Sequence, residues 1–433
     1  MRRVKSNMRN CSPVKLSVWT ALFLDSAALA IALPVLPKLI EKLAEGSVSR
    51  AAAFYGLLLA MSGVLLFFCG PLQASLSDLF GRKKLLIAAS LGSAVGFLAL
   101  ACAPNLLCLF AAQAIYAASG ATQPVASCLI SDLSEPHTRA SQFAKLTSIV
   151  TLGFIVGASV GGVLGQYGLN FAMLTAAATC IAASLMMFFG IEETRVSPDQ
   201  CTKKFEIRTA NPISSIKFLY ADKSRAEHVI IMICADFAFQ AFLSTWVLFT
   251  TIRYHWTIAQ AGASMALEGL FAVAVQLIFL RFALPRLGVR NTLIASLFFE
   301  SLALVLYNCI DGSLIVVAVI AIHCMGAAVR PTCSAALSAS VTNEEQAKLQ
   351  GAIGSQYALS SVLAMLLGTS LFSYFTSSSA PIVFPGVSSL LGILALSIAL
   401  LTAFLPYISA VARSWSTGRL QFALSRSDSR KSN

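Results

Sequence analysis

Three long segments without a single Asp, Glu, Lys or Arg are the strongest constraint in this sequence. They lie between Lys84 and Asp132, between Lys145 and Glu192, and between Lys348 and Arg413. A helix needs about 20 apolar residues to cross a bilayer, so each segment is long enough for two spans and a turn. A transmembrane β-barrel would instead show alternating segments of about ten residues. The three segments therefore predict membrane-spanning helices.

The composition excludes the common soluble classes. The chain has 433 residues, of which 57% are hydrophobic and only 12% are charged. A soluble domain carries about 25% charged residues because its surface must face water. Collagen-like, disordered and disulfide-scaffold proteins are excluded by the same composition. The expected fold class is an all-α integral membrane protein.

The same length criterion predicts twelve spans in two blocks of six, with a polar stretch between the blocks. The predicted spans are 16–38, 53–76, 85–103, 106–130, 143–166, 170–191, 228–250, 258–283, 289–310, 312–337, 351–375 and 385–408. The chain then divides into an N-terminal tail 1–15, a six-helix bundle 16–191, a linker 192–227, a second six-helix bundle 228–408 and a C-terminal tail 409–433.

The basic residues predict the orientation of these spans. If the N-terminus is cytoplasmic, 26 of the 31 Lys and Arg residues lie in the tails, the linker and the loops on the cytoplasmic side, as the positive-inside rule requires. Both termini are therefore expected in the cytoplasm. The net charge of +12 is explained by topology, and no nucleic-acid partner is expected.

The cysteines and histidines indicate neither disulfides nor a metal. Most of the eleven cysteines fall inside predicted spans, and none forms a Cys-x-x-Cys pair. They are expected to pack as small apolar residues. The histidines show no metal-ligand spacing; they are His137, His228, His255 and His323.

The two blocks resemble each other. Asp25 of the first span has a counterpart in Asp236 of the seventh, and Gln123-Pro124 of the fourth has one in Arg330-Pro331 of the tenth. Repeated bundles with a binding site between them near mid-membrane are how many transporters are built.

The loop between spans two and three carries a candidate cytoplasmic gate motif. An acid ends one helix, a glycine allows a tight turn, and cations begin the next helix; these residues are Asp78, Gly81, Arg82 and Lys83. The carboxylate can pair across the turn while the cations face lipid phosphates. An ordinary positively charged cytoplasmic loop is the alternative interpretation.

With these motifs the chain resembles the major facilitator superfamily, and within it the tetracycline efflux branch of drug/proton antiporters. The resemblance extends from about residue 20 to residue 408. It rests on Leu24-Asp25, Pro34 to Pro37, Phe54-Tyr55-Gly56, Ser77-Asp78, Phe80-Gly81-Arg82, Ser119 to Thr122, Asn211-Pro212, Tyr254-His255-Trp256 and Leu349-Gln350-Gly351. It implies a twelve-span fold, no enzymatic activity and transport by alternating access.

The sequence departs from that branch at positions linked to coupling and substrate. Gln113 stands where the family has an Arg in span four, and Ala158 where the antiporter signature of span five has a Pro. Tetracycline pumps have an Asp in span three and a His in span eight, where this chain has Gly96 and Ala272. Tetracycline specificity and standard antiport therefore do not follow from the resemblance.

Ionisable groups inside spans are the main functional candidates, because each is costly in a bilayer and needs a partner. The four acids are candidates for proton coupling, since burial favours the neutral form of a carboxyl group; they are Asp25, Asp236, Glu268 and Glu300. Asp25 and Glu300 match positions where the tetracycline branch has essential carboxylates.

Arg330 has two possible roles. It can form an internal ion pair with Asp236, Glu268 or Glu300, or its guanidinium can bind a carboxylate or phosphate of an anionic substrate. Three amides could contact substrate or bond across a helix pair: Gln113, Gln123 and Gln276. Four span-five glycines are expected to allow close helix packing: Gly153, Gly157, Gly161 and Gly162.

These features favour a proton-coupled exporter of an amphipathic drug or of an endogenous anionic metabolite, such as a carboxylate-bearing siderophore. The alternative is an importer or proton symporter, while an intramembrane enzyme and a transporter-like sensor are less favoured. The proton gradient would supply the energy without a cofactor. The expected partners are a small-molecule substrate and the lipid bilayer, and the expected form is a monomer in a bacterial inner membrane.

Overall fold

The structure is a computed structural model that describes residues 16–120, 122–133, 139–190, 219–220, 222–341 and 346–405. The long elements in these ranges are helices. They are α1 (Leu16–Ala32), α2 (Leu36–Leu43), α3 (Val48–Phe80), α4 (Arg82–Ala101), α5 (Leu106–Ser119), α6 (Thr122–Leu133), α7 (Arg139–Tyr167), α8 (Leu169–Gly190), α9 (Lys223–Leu243), α10 (Trp246–Tyr254), α11 (Ile258–Ala274), α12 (Leu280–Cys309), α13 (Ser313–His323), α14 (Val329–Ala339), α15 (Gln346–Phe375) and α16 (Val387–Leu405).

The prediction of an all-helical membrane protein is confirmed. Within the described ranges, ten helical stretches are long and apolar enough to cross a membrane. One of them, Ile258–Cys309, has 52 residues and is interrupted at Gly288, whose φ of 75° is not helical. A shorter apolar helix, α5, ends at Ser119, and α6 begins three residues later at Thr122. These features are consistent with twelve spans. Both tails and residues 191–218 of the linker lie outside the described residues.

The seventh span begins earlier than the sequence pattern predicts. Helix α9 starts at Lys223, five residues before the predicted 228, because Asp222 caps it: its carboxylate accepts a hydrogen bond from the Arg225 backbone N–H at 3.3 Å. A side-chain oxygen at this position satisfies a backbone donor that has no partner within the helix. Polar residues Lys223 to Glu227 therefore extend the helix beyond its apolar part.

Equivalent helices pack in the two halves. In the first half α1 packs against α7 and α8, and α4 packs against α5 and α8. In the second half α9 packs against α14 and α15, and α12 packs against α13. The contact of α1 with α7 therefore has its counterpart in the contact of α9 with α15, as the internal repeat predicts.

The outer surface of the described helices is apolar. Phe188 of α8 is 56% exposed, Leu277 after α11 is 68% exposed, and Leu394 of α16 is 63% exposed. Large exposed apolar surfaces are unusual in soluble monomers, whereas a bilayer solvates them.

Two helix pairs join the halves, α3 with α15 and α7 with α11. Ser49 donates to the Ser373 carbonyl at 2.6 Å, and Gln166 donates to Thr257 at 3.3 Å. These contacts lie at the helix ends opposite the Arg82 loop. The two halves therefore close against each other at the end that the charge pattern predicts to be outside.

Candidate functional site

Asp25 lies in a small cavity inside the first half. It is on α1, and Thr122 of α6 donates to its carboxylate at 3.5 Å. The cavity measures about 90 Å³ and is also lined by Tyr116, Gln123 and Cys180. This volume suits a few water molecules and is well below the 300–1,000 Å³ of drug-sized ligand pockets.

Two of the three candidate amides are in the first half, with different environments. Gln113 is buried and donates to Ser62 Oγ at 2.9 Å, which links α5 to α3. This is the contact across a helix pair that was one of its two expected roles. Gln123 is exposed and borders the Asp25 cavity.

Arg330 and Asp236 form an ion pair in the second half. The guanidinium donates to Asp236 Oδ2 at 2.8 Å, which identifies the partner among the three acids considered from sequence. The Asp236 side chain is 9% exposed, whereas the Arg330 side chain is 38% exposed. The guanidinium also stacks over the Tyr357 ring, 4.2 Å from its centroid. Arg330 is thus held on two sides and remains partly accessible.

A polar shell holds this ion pair in place. Gln240, one turn after Asp236 on α9, donates to the Tyr357 hydroxyl and to Ser361 Oγ, each at 3.1 Å. Tyr357 and Ser361 are also one turn apart, on α15, so the i, i+4 spacing of both helices aligns the groups. Gln356 lies beside Asp236, but its buried amide makes no hydrogen bond of ordinary geometry within the described part of the chain. We call Asp236, Gln240, Arg330, Tyr357 and Ser361 the Arg330 cluster.

The span that carries Arg330 is irregular just before it. Residues Cys324–Ala328 form a 3₁₀ turn between α13 and α14. Pro331 has no backbone N–H, so the carbonyl of Ala327 loses its helical donor. The distortion therefore follows from Pro331 and lies at the start of α14, where Arg330 projects.

Glu268 and Glu300 are apart from Arg330 in the same half. Glu268 Oε1 is 3.8 Å from His323 Nδ1. Glu300 is 3% exposed, and its Oε2 has no hydrogen-bond partner among the described residues. Its carboxyl group lies against Gly326 of the 3₁₀ turn, where any Cβ atom would overlap it. Glycine at position 326 thus makes room for this buried acid.

Sequence reasoning missed His323. It considered the histidines only as metal ligands, whereas the structure buries His323 beside Glu268. The available signal was a histidine within an apolar span, since a buried ionisable group in a bilayer needs a partner.

Gln276 does not join these groups. It is exposed in a π-helical turn, Val275–Phe279, next to exposed Leu277 and Ile278. Among the described contacts, none connects it to the Arg330 cluster. A π turn is wider than an α-helical turn. It therefore places Gln276 on a different face of the helix from Glu268.

The motif between spans two and three is partly described. Gly81 has φ of 101°, a backbone conformation that favours glycine. Arg82 donates to Ser77, and the Lys83 ammonium lies over the Phe188 ring, 5.3 Å from its centroid. The Asp78 side chain lies outside the described residues.

The span-five glycines lie at two close helix contacts. A Cβ atom on Gly153, Gly157 or Gly161 would overlap backbone of α1, and one on Gly162 would lie 3.0 Å from Gly262 of α11. The first three glycines face the same half, and the fourth faces the other half.

The comparisons with known proteins agree with the motifs. The Major Facilitator Superfamily model matches residues 18–307 and 229–421. The chain is 26% identical to the tetracycline resistance protein, class C, of Escherichia coli over 82% of this chain and 88% of that protein. The resemblance inferred from the sequence motifs is thereby confirmed.

Solved structures show the same fold. The human organic anion transporter MFSD10 is similar with a TM-score of 0.66 and 19% identity, covering 91% of this chain and 99% of that one. The nucleoside transporter NupG is similar with a TM-score of 0.70 and 14% identity, covering 91% and 98%. At these identities the likeness concerns the fold alone.

Proposed function

Because the chain belongs to the major facilitator superfamily and is a multi-pass membrane transporter, we propose that it is a proton-coupled exporter of small amphipathic organic anions. One observation carries the proposal: Arg330 lies within a membrane span, is paired with Asp236 at 2.8 Å, and keeps 38% of its side chain exposed. A charged group within a membrane span is costly, so its retention in an accessible position favours a functional role over a purely structural ion pair.

The Arg330 cluster supports an anionic substrate on electrostatic grounds. A guanidinium cannot be deprotonated in a protein and binds carboxylates through two parallel hydrogen bonds. A substrate carboxylate can replace Asp236 as its partner once Asp236 is protonated. Tyr357 offers an aromatic face beside the same guanidinium, so an amphipathic anion would find charge and apolar surface together.

This exchange also provides a route to coupling. A proton on Asp236 and a substrate anion on Arg330 would occupy the cluster in the same state, so this step alone would carry both in the same direction. Export driven by the proton gradient therefore needs further acids that carry protons in the opposite direction. We propose Asp25 and Glu300, neither of which pairs with Arg330 among the described contacts, as these acids. No cofactor is needed, because the proton gradient supplies the energy.

The similar proteins support drug or anion export. The class C relative is named for tetracycline resistance, and one structural neighbour is named as an organic anion transporter. Tetracycline is therefore the first drug to test, and carboxyfluorescein is a suitable fluorescent organic anion. We place the protein as a monomer in a bacterial inner membrane with both termini in the cytoplasm.

The test is uptake into everted membrane vesicles that are energised with an acid lumen. We expect uptake of carboxyfluorescein by the wild type, loss of uptake in Arg330→Gln, and little change in Arg253→Gln. Arg253 is a matched control, because it also forms a 2.8 Å ion pair, with Asp311, away from the cluster. Equal membrane insertion is checked by immunoblot. Uptake that survives Arg330→Gln with unchanged affinity would refute the anion site.

An importer or proton symporter is the second candidate. It is favoured by Gln113, a neutral residue bonded to Ser62 where the family has an arginine linked to proton coupling. The direction of net flux against the imposed proton gradient separates the two functions. Export requires substrate to move opposite to protons, and symport requires both to move together.

A further inference from the structure

His323 is buried beside the partly exposed Glu268 without a hydrogen bond between them. His323 Nδ1 is 3.8 Å from Glu268 Oε1, which is too long for a hydrogen bond. His323 Nε2 is buried and has no partner within the described ranges. Buried polar groups are nearly always hydrogen-bonded, and the gap between Nδ1 and Oε1 is within about 1 Å of hydrogen-bond length. A small movement of the Glu268 side chain would therefore give Nδ1 a partner.

The surroundings of the pair are largely aromatic. The His323 ring packs against Phe239, Phe242 and Tyr307 with centroid separations of 5.3–6.2 Å. Cys324 Sγ donates to the Glu268 carbonyl at 3.3 Å. The titratable neighbours are Tyr307 and Cys324, and the nearby acids are Glu300 and Asp236. The Arg330 guanidinium is already paired with Asp236.

Exposure indicates where a proton enters. The Glu268 side chain is 19% exposed, whereas that of His323 is 3% exposed. Glu268 is therefore the more accessible of the two groups. A neutral imidazole has one nitrogen that accepts a hydrogen bond, and Nδ1 is the nitrogen that faces Glu268. The chemistry available is a protonated carboxyl group that donates to a neutral histidine.

We propose that His323 is a positioning residue for proton coupling, which stabilises protonated Glu268 by accepting its hydrogen bond at Nδ1. The inference rests on the proposed proton-coupled transport. A proton from water forms the O–H bond on Glu268 Oε1, the 3.8 Å gap closes, and the imidazole stays neutral. When the proton returns to water on the other side, the hydrogen bond is lost and the gap reopens.

The position of His323 connects this pair to Arg330. His323 is the last residue of α13, and the 3₁₀ turn Cys324–Ala328 joins it to the start of α14, which carries Arg330. Gly326 in that turn packs against the Glu300 carboxyl group. Closure of the Glu268–His323 gap therefore acts on the segment that positions Arg330, so that protonation and substrate binding influence each other.

The first test does not depend on transport. The carboxyl C=O band of purified protein in liposomes is titrated by infrared spectroscopy, and Glu268→Gln identifies the contribution of Glu268. His323→Phe removes the acceptor, and we expect the titration midpoint to fall by about one pH unit, the equivalent of one hydrogen bond. His323→Asn places an amide oxygen near the position of Nδ1 and should restore a midpoint close to that of the wild type.

Two results of this titration would overturn the inference. An unchanged midpoint in His323→Phe would mean that His323 is only a packing residue. A raised midpoint would mean that His323 donates to the charged carboxylate instead. If His323→Phe does not fold, His323→Leu removes the same acceptor with a smaller side chain.

The second test concerns coupling. In everted vesicles we expect His323→Phe to shift the pH profile of gradient-driven carboxyfluorescein uptake to lower pH, while counterflow without a gradient is retained and His323→Asn behaves like the wild type. Loss of counterflow and uptake together would contradict a positioning role. If the wild type transports neither carboxyfluorescein nor tetracycline, the proposed function fails. The infrared titration still decides the role of His323.

Discussion

Neutralising only Arg330 of the Arg330–Asp236 pair should destabilise the protein more than neutralising both residues. The pair is joined at 2.8 Å and Asp236 is buried. Breaking a buried ion pair by removing one partner costs about 3–5 kcal/mol, because an unpaired charge remains. Replacing both charges by amides leaves a neutral pair that can still hydrogen-bond.

The two single variants should differ in cost. Arg330→Gln leaves Asp236, which is 9% exposed, without its cation, so we expect a loss of about 3 kcal/mol. Asp236→Asn leaves Arg330, which is 38% exposed and keeps some hydration, so about 1–2 kcal/mol is expected. The double variant should lose about 1 kcal/mol, which gives a coupling energy of about 3–4 kcal/mol.

The assay is unfolding of the purified protein in mixed micelles by added SDS, followed by tryptophan fluorescence. Trp246 and Trp256 are buried in the same half as the pair and report on its packing. Additive single effects, with a coupling energy below about 0.5 kcal/mol, would refute the pairing. The double variant also separates stability from function, because it should fold like the wild type and still fail to take up carboxyfluorescein.

Three further results are expected. Ser49→Cys with Ser373→Cys should form a disulfide on oxidation, since the two hydroxyl oxygens are 3.4 Å apart; uptake should stop and return with dithiothreitol, and either single variant should be insensitive. Gly161→Ala should cost about 3 kcal/mol because its Cβ would overlap the Ile31 carbonyl, measured as thermal stability in detergent, while Gly354→Ala, with nothing within 4 Å, should not destabilise. Gln276→Ala should leave uptake unchanged in vesicles, and a loss above about tenfold would show that Gln276 contributes to substrate binding.

The helical membrane architecture could be predicted from sequence because it depends on length and hydropathy alone. The charge-free segments and the positions of Asp25 and Arg330 within spans are visible without a structure. The positions of the helix ends were harder to predict from sequence. The start of α9 at Lys223 depends on the Asp222 cap, and the break at Gly288 divides a stretch that is otherwise continuously helical.

The grouping of the ionisable residues could not be predicted because it depends on helix rotation and tertiary packing. Sequence offered three acids as partners for Arg330, and the alignment of α9 with α14 selects Asp236. The packing of α11 against α13 places Glu268 beside His323 instead. Gln276 lies within the π turn Val275–Phe279, which changes the helical phase by a fraction of a turn and leaves no clear trace in the residue pattern.

The most direct test of proton-coupled export is proton movement in response to substrate. Purified protein is reconstituted in liposomes with an acid lumen and an internal pH dye. An organic anion other than carboxyfluorescein, or tetracycline, is then added outside. We expect the lumen to become more alkaline on substrate addition, and this response to be absent in Asp25→Asn. Acidification of the lumen, or entry of labelled substrate without any proton movement, would contradict the proposed antiport.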